Sequence, residues 1–334
     1  VPLEIYRAQG RGGRGIRGSD AKEGDALSSL FVAGTHDHLL CFSNRGQIYW
    51  LKVYQLPEAS RTSSGRAISN LIELQGDERI TNVLRVPQFD DRSFVVFATR
   101  NGRVKKTKLE AFSRPKRGGI RAIILDEGDE VVGVGLAQPG DTVMLASAHG
   151  QAVRFDEATA RAMGRTSQGV RGIRLRAGDR VVAMVVVADA ADVFLLTACE
   201  NGYGKRTPLA DYPIKGRGGL GVINIQARPG GRNGDVIGMR LCRGDDYVMY
   251  IPAGGMIVRS PVADTRPMGR NVQGVRMVNL DEGDTVADVA RLAPDEDGEA
   301  EGSNGGGGGD VNGSEGGAAA VEADVVHLHG SLQL

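Results

Sequence analysis

Phe94-Val95-Val96-Phe97-Ala98-Thr99-Arg100-Asn101-Gly102-Arg103-Val104-Lys105-Lys106-Thr107 reads as a β-hairpin. A β-rich run meets Asn-Gly, which supplies the positive φ that a tight hairpin needs, and a second strand follows. The unit around this hairpin recurs. Turns containing Gly stand at Asn44-Arg45-Gly46, Asn101-Gly102, His149-Gly150, Asn201-Gly202 and Gly254-Gly255. Basic loops closing on a late glycine recur at Gly13, Gly65, Gly119, Gly169, Gly219 and Gly274. Gly-Asp turns recur at Gly24-Asp25, Gly76-Asp77, Gly128-Asp129, Gly178-Asp179, Gly234-Asp235 and Gly283-Asp284. Three landmarks that hold register at a spacing of about fifty residues define a repeat array.

Each unit adds an apolar run after the Gly-Asp turn, such as Val181–Val185, and another after the basic loop, such as Val170–Leu175. Four short strands per unit make a propeller-like blade, so the expected fold is all-β, a disc of four-stranded blades. The best helix candidate is Asp156–Met163. Val1–Tyr6 parallels Thr207–Tyr212, so the chain opens in mid-repeat. Residues 1–293 then hold five full repeats and one partial repeat whose first hairpin is missing, as expected of a piece of a longer polypeptide. Thr285–Leu292 is expected to pair with the N-terminal part and close a ring. Residues 294–334 read as an acidic, Gly-rich disordered tail with five consecutive glycines at Gly305–Gly309, and Val325–His329 is expected to fray.

The formal net charge is zero, with 41 basic and 41 acidic residues. This balance conceals an asymmetry. The tail carries nine acidic residues and no Lys or Arg, so residues 1–293 hold a surplus of nine positive charges. A basic body points to a polyanionic partner, and an acidic tail to a competitor for the same surface. The three cysteines, Cys41, Cys199 and Cys242, lie in separate apolar runs and read as buried thiols, with neither a disulfide framework nor a zinc site. No apolar run has membrane-spanning length.

Two stretches match GxGxxG literally, Gly13–Gly18 and Gly216–Gly221. Neither has the strand-before, helix-after setting of a dinucleotide site. His36-Asp37-His38 lacks a third ligand nearby and reads as a polar strand end. The sequence offers no catalytic constellation, cofactor site or metal site. What remains is basic residues recurring at one point of each unit. They are Arg7 and Arg17, Arg61 and Arg66, Arg114, Lys116, Arg117 and Arg121, Arg161, Arg165, Arg171 and Arg174, Lys215 and Arg217, and Arg266, Arg270 and Arg276. The hairpins add Lys105, Lys106, Lys205 and Arg206. In a ring of blades this recurrence makes a continuous basic rim.

Gln9-Gly10-Arg11-Gly12-Gly13-Arg14-Gly15 resembles the box Q-R-R-G-G-K-G that marks the family of DNA gyrase A C-terminal domains. Arg14 stands for Lys, and Gly10 stands where the family has Arg. Thr35–Phe42, Val53–Pro57, Arg161–Gly164, Gly169–Leu175, Asn201–Thr207 and Gly269–Val275 also resemble that family, and the likeness runs from Val1 to about Ala293. It implies a six-bladed β-pinwheel that wraps double-stranded DNA, without sequence specificity, around the rim and the box. It implies no catalysis in this region: the active-site tyrosine, ATP and magnesium belong to an A2B2 holoenzyme formed with the N-terminal part of gyrase A and with gyrase B. It further implies a bacterial, cytoplasmic, nucleoid-associated setting, no membrane, and a monomeric isolated domain. Two alternatives stay open: the corresponding domain of topoisomerase IV, and a propeller that serves as a protein-interaction scaffold.

Overall fold

The computed structural model describes residues 16–17, 25–56, 68–188, 191–254, 256–292 and 323–331. Among these, five four-stranded antiparallel sheets form the blades. Blade one contains β3 (His38–Ser43), β4 (Gln47–Lys52), β5 (Ile80–Val86) and β8 (Ile120–Arg121). Blade two contains β6 (Phe94–Thr99), β7 (Arg103–Lys108), β9 (Val131–Ala137) and β12 (Val170–Arg171). Blade three contains β10 (Thr142–Ser147), β11 (Gln151–Asp156), β13 (Val181–Val187) and β16 (Val222–Ile223). Blade four contains β14 (Phe194–Cys199), β15 (Tyr203–Pro208), β17 (Val236–Cys242) and β20 (Val275–Arg276). Blade five contains β18 (Tyr247–Pro252), β19 (Met256–Pro261), β21 (Val286–Leu292) and β1 (Ile16–Arg17).

The blades exchange strands. In blade two the order is β12-β7-β6-β9, and β12 arrives only after the chain has built the next hairpin. Each outer strand is thus donated by the following unit. The strands opposite the donated ones, β5, β9, β13, β17 and β21, contact one another in succession and form the inner layer. In all five blades the first hairpin strand shifts register against the inner strand at its last residue, a repeated β-bulge that increases local twist.

The core lies between blades. Leu40 and Phe42 of blade one pack with Val95, Phe97, Leu109 and Phe112 of blade two. Val96 and Val104 pack likewise with Val143, Leu145, Val153 and Phe155 of blade three. Each central strand is covered on both faces, which is why Val95–Ala98 and Val143–Ala146 are unbroken apolar runs. Fully burying one such side chain contributes about 1.5–3 kcal/mol.

Several expectations are corrected. The helix candidate is one 3-10 turn, Glu157–Thr159, because the next residues are drawn out to pair with blade two. Closure of the array is made by a different strand from the one expected: Ile16–Arg17 pairs with β19, while Val286–Leu292 pairs inside its own blade with β18. The sixth position holds a two-stranded sheet of β2 (Asp25–Gly34) and β22 (Ala323–Ser331), so this part of the tail is strand. β2 is the inner strand of the partial repeat, and β22 takes the place that a first hairpin strand fills in the five full blades. An open strand edge is a template for any β-competent segment, and Val325-Val326 lies in such a segment.

Candidate nucleic-acid interface

The basic loops are held at the outer edge by the exchange of strands. After the 3-10 turns Glu157–Thr159, Leu209–Asp211 and Val262–Asp264 the chain pairs in parallel with the second hairpin strand of the preceding blade. The amides of Met163, Lys215 and Met268 donate to the carbonyl oxygens of Lys106, Arg154 and Arg206 at 2.7–2.8 Å. A glycine then crosses that strand at close range. Gly169 and Gly274 have φ of +86° and +80°, and a Cβ there would lie 2.4 Å from the Val104 carbonyl oxygen and 2.2 Å from that of Gly204. The loop of blade four is longer. Its crossing glycine is Gly221, at φ +76°, and not Gly219 as the spacing suggests. Successive loops also touch: the amide of Ile124 donates to the Ser167 oxygen, Arg174 to Gly219, and Gln226 to Val272. The outer edge is therefore one hydrogen-bonded band.

On this band Arg114, Lys116, Arg117, Arg121, Arg161, Arg171, Arg174, Lys215, Arg266 and Arg276 are exposed, and Arg165, Arg217 and Arg270 are half-exposed. Within the described residues, Arg117 is the one of these with a carboxylate partner, Glu73 at 3.4 Å, and both side chains of that pair are largely in solvent. Many arginines elsewhere are neutralised, although Arg92, Arg176, Arg228, Arg232 and Arg243 are exposed without such a pair among the described residues. Glu130 bridges Arg79 and Arg100, and Asp126, Asp235, Asp288 and Asp246 pair with Arg103, Arg180, Arg240 and Arg291. The uncompensated charge is concentrated on the loops. Lys108, Arg114, Lys116 and Arg165 converge on one open cleft with Glu110. Several rim guanidiniums are pre-oriented: Arg270 donates to the Ile223 oxygen at 3.2 Å, and Arg276 to the Tyr203 hydroxyl at 2.7 Å. The guanidiniums of Arg232 and Arg276 hold the Tyr203 phenol below its ordinary pKa.

Four residues expected on the rim lie inside. Lys105, Lys106, Lys205 and Arg206 are buried, because the second hairpin strand is sandwiched between blades. Lys106 pairs with Glu157 and stacks 4.6 Å from the Phe94 ring centroid; Arg206 lies 4.6 Å from that of Phe194. In blades one, two and three the fourth residue of this strand is a clasp to the next blade. Trp50 donates to the Phe112 oxygen at 2.8 Å, Lys106 to the Glu157 oxygen at 3.2 Å, and Arg154 to the Leu209 oxygen at 3.4 Å. Sequence reading missed this role, although the shared offset from the turn glycine was its signal. Gln9–Gly15, Arg7, Arg61 and Arg66 lie outside the described residues, and Arg17 is placed only as backbone of β1. Asp37 accepts from the Gly34 amide at 2.8 Å and pairs with Arg85. Among the described residues no group of His, Cys, Asp and Glu is arranged to hold a metal.

The geometry defines a class: a strand-exchanging β-propeller whose outer edge presents uncompensated cations. The chain belongs to the family described as DNA gyrase C-terminal domain, beta-propeller, whose family model matches residues 1–33, 37–87, 93–138, 141–188, 194–243 and 246–293. It is 48% identical over 292 residues to the DNA gyrase A protein of Escherichia coli (strain K12), covering 87% of this chain and 33% of that protein. It is 42% identical over 301 residues to that of Mycolicibacterium smegmatis, covering 89% and 35%. The chain thus spans about a third of the length of these curated relatives. Its structure resembles that of a DNA gyrase A C-terminal domain, with a TM-score of 0.77 and 25% identity over 87% of this chain and 94% of the other. It also resembles the C-terminal domain of DNA topoisomerase IV, with a TM-score of 0.69 and 26% identity over 78% and 80%.

Proposed function

We propose that this chain binds double-stranded DNA along its cationic edge, bends it and wraps it with a defined handedness, without reading sequence. The observation that carries this reading is the recurrence of uncompensated cations on the outer loops, set against the ion-paired arginines elsewhere. Bending roughly 40 base pairs through half a turn costs on the order of 10 kcal/mol. One loop cannot supply that. Many phosphate contacts along a curved band can, because each releases condensed counterions. Few aromatics and many arginines suit a backbone binder with little base readout.

On this reading the chain is the non-catalytic wrapping part of an ATP-dependent type II topoisomerase of the gyrase type. Its partners are the N-terminal part of gyrase A and the whole of gyrase B in a bacterial cytoplasm, and cleavage and ATP hydrolysis lie outside this chain. Gln9–Gly15 clamps one end of the wrap. The test is a topology assay on nicked circles, bound by the protein and then ligated. A linking change of constant sign, with affinity that grows with DNA length and falls steeply with salt, is expected. Binding that depends on neither length nor salt would leave the protein-scaffold alternative.

A further inference from the structure

Lys105 and Lys205 have no exposed surface. Each is the third residue of a second hairpin strand, three places beyond a turn glycine; the same position elsewhere holds Tyr49, Val153 and Val258. A buried ammonium is unfavourable unless it is hydrogen-bonded or gives up its proton. Both lysines reach the loop arriving from the following unit. Lys105 Nζ donates to the carbonyl oxygens of Ala122 and Arg165. Lys205 Nζ donates to Thr207 Oγ1 at 2.7 Å and to the carbonyl oxygens of Gly269 and Arg270 at 2.8 and 3.1 Å. Arg165 and Arg270 occupy the same loop position, and both are rim cations.

We infer that Lys105 and Lys205 are positioning residues for DNA: each pins, from beneath, the main chain of the loop segment that presents a rim arginine. The inference rests on the wrapping reading above. Neither lysine touches DNA. Each fixes where a guanidinium can meet a phosphate, and does so in alternate blades, because blade three has Val153 at this position.

The arrangement also couples the wrap to protons. Burial, and then the charge of Arg165, push the Lys105 ammonium down to about 7; burial, and then Arg270, do the same to Lys205. Besides Arg165, Lys105 faces the Phe97 ring at 5.7 Å; besides Arg270, Lys205 faces Asp211, Cys199 and Thr207. A phosphate bound at Arg165 or Arg270 offsets the positive charge that repels the lysine beneath. DNA binding and protonation of the lysine then favour each other, as reciprocal linkage requires.

The test is Lys105→Met with Lys205→Met in the whole 334-residue chain. Methionine keeps the length and removes the donor. A folded double variant is expected to bind linear DNA about tenfold more weakly at low pH, with a salt slope shallower by about 2. Its affinity is also expected to lose the decline shown by the parent chain between about pH 7 and 8.5, above the histidine range. A folded double variant with the parent's affinity, salt slope and pH profile overturns the inference and leaves the wrapping reading standing. If the double variant does not fold, the parent's own profile decides: a flat affinity over that pH range overturns the inference. Failure of the parent chain to bind DNA overturns the wrapping reading and this inference together.

Discussion

Lys106 and Glu157 form a buried ion pair across the seam between blades two and three. The ammonium also donates to the Glu157 main-chain oxygen at 3.2 Å, so one side chain joins the hairpin of one blade to the 3-10 turn of the next. A buried pair gains little over an apolar isostere, but removing one partner strands the other charge. Glu157→Ala is expected to destabilise the chain by about 3–5 kcal/mol. Adding Lys106→Met is expected to recover most of that loss. Urea unfolding of the single and double variants checks both.

The rim cations are expected to behave in the opposite way. Arg114→Ala, Lys116→Ala and Arg117→Ala together remove exposed charge with a single solvent-exposed carboxylate partner. Stability should change by no more than about 0.5 kcal/mol per site. The slope of log affinity against log salt should fall by about 3. Salt-titrated DNA binding and thermal melts on the same triple variant measure the two separately.

Gly274→Ala is expected to be severe. The residue sits at φ +80°, and the new Cβ would meet the Gly204 carbonyl oxygen at 2.2 Å, a backbone atom that cannot swing aside. The left-handed conformation alone disfavours alanine by about 1–2 kcal/mol. The larger consequence should be displacement of the loop bearing Arg270, seen as weaker DNA binding in any variant that still folds.

Stability should depend on pH through two sets of buried groups. Lys105 and Lys205 hold folded pKa values of about 7, far below the unfolded value near 10.4. Above about pH 7 the unfolded chain therefore binds more protons, and stability rises with pH. Burial pushes the thiols of Cys41, Cys199 and Cys242 up to about 12. Above about pH 8.5 the unfolded thiols ionise while the folded ones do not, and this works in the other direction. Stability should thus climb from about pH 7 to 8.5 and then level or fall. Melting temperatures across this range check it, and the Lys105→Met, Lys205→Met chain should lack the rise.

The acidic tail and the box yield the last prediction. Deleting residues 294–334 removes nine negative charges from a body with a matching positive surplus, and it also removes the partner of β2. DNA should bind more tightly at low salt, and the linking change per bound protein should shift. Replacing Gln9–Gly15 with alanine in a reconstituted holoenzyme should abolish negative supercoiling while relaxation survives.

By itself the sequence determined the repeat, the hairpins and the all-β architecture. These rest on local chemistry: Asn101-Gly102 turns the chain wherever it stands, and Val95–Ala98 needs burial on both faces. Local pattern could not separate Lys105 from Arg114, since both are cations a few residues apart in one unit. Only the tertiary structure decided that the first lies beneath the rim and the second upon it, because the carbonyl oxygens that receive the Lys105 ammonium, those of Ala122 and Arg165, are 17 and 60 residues away along the chain. The same holds for strand pairing. Ile16–Arg17 reaches β19, and Ala323–Ser331 reaches β2, across most of the chain. A two-residue strand carries no sequence signal of its own; what defines it is the open edge that awaits it.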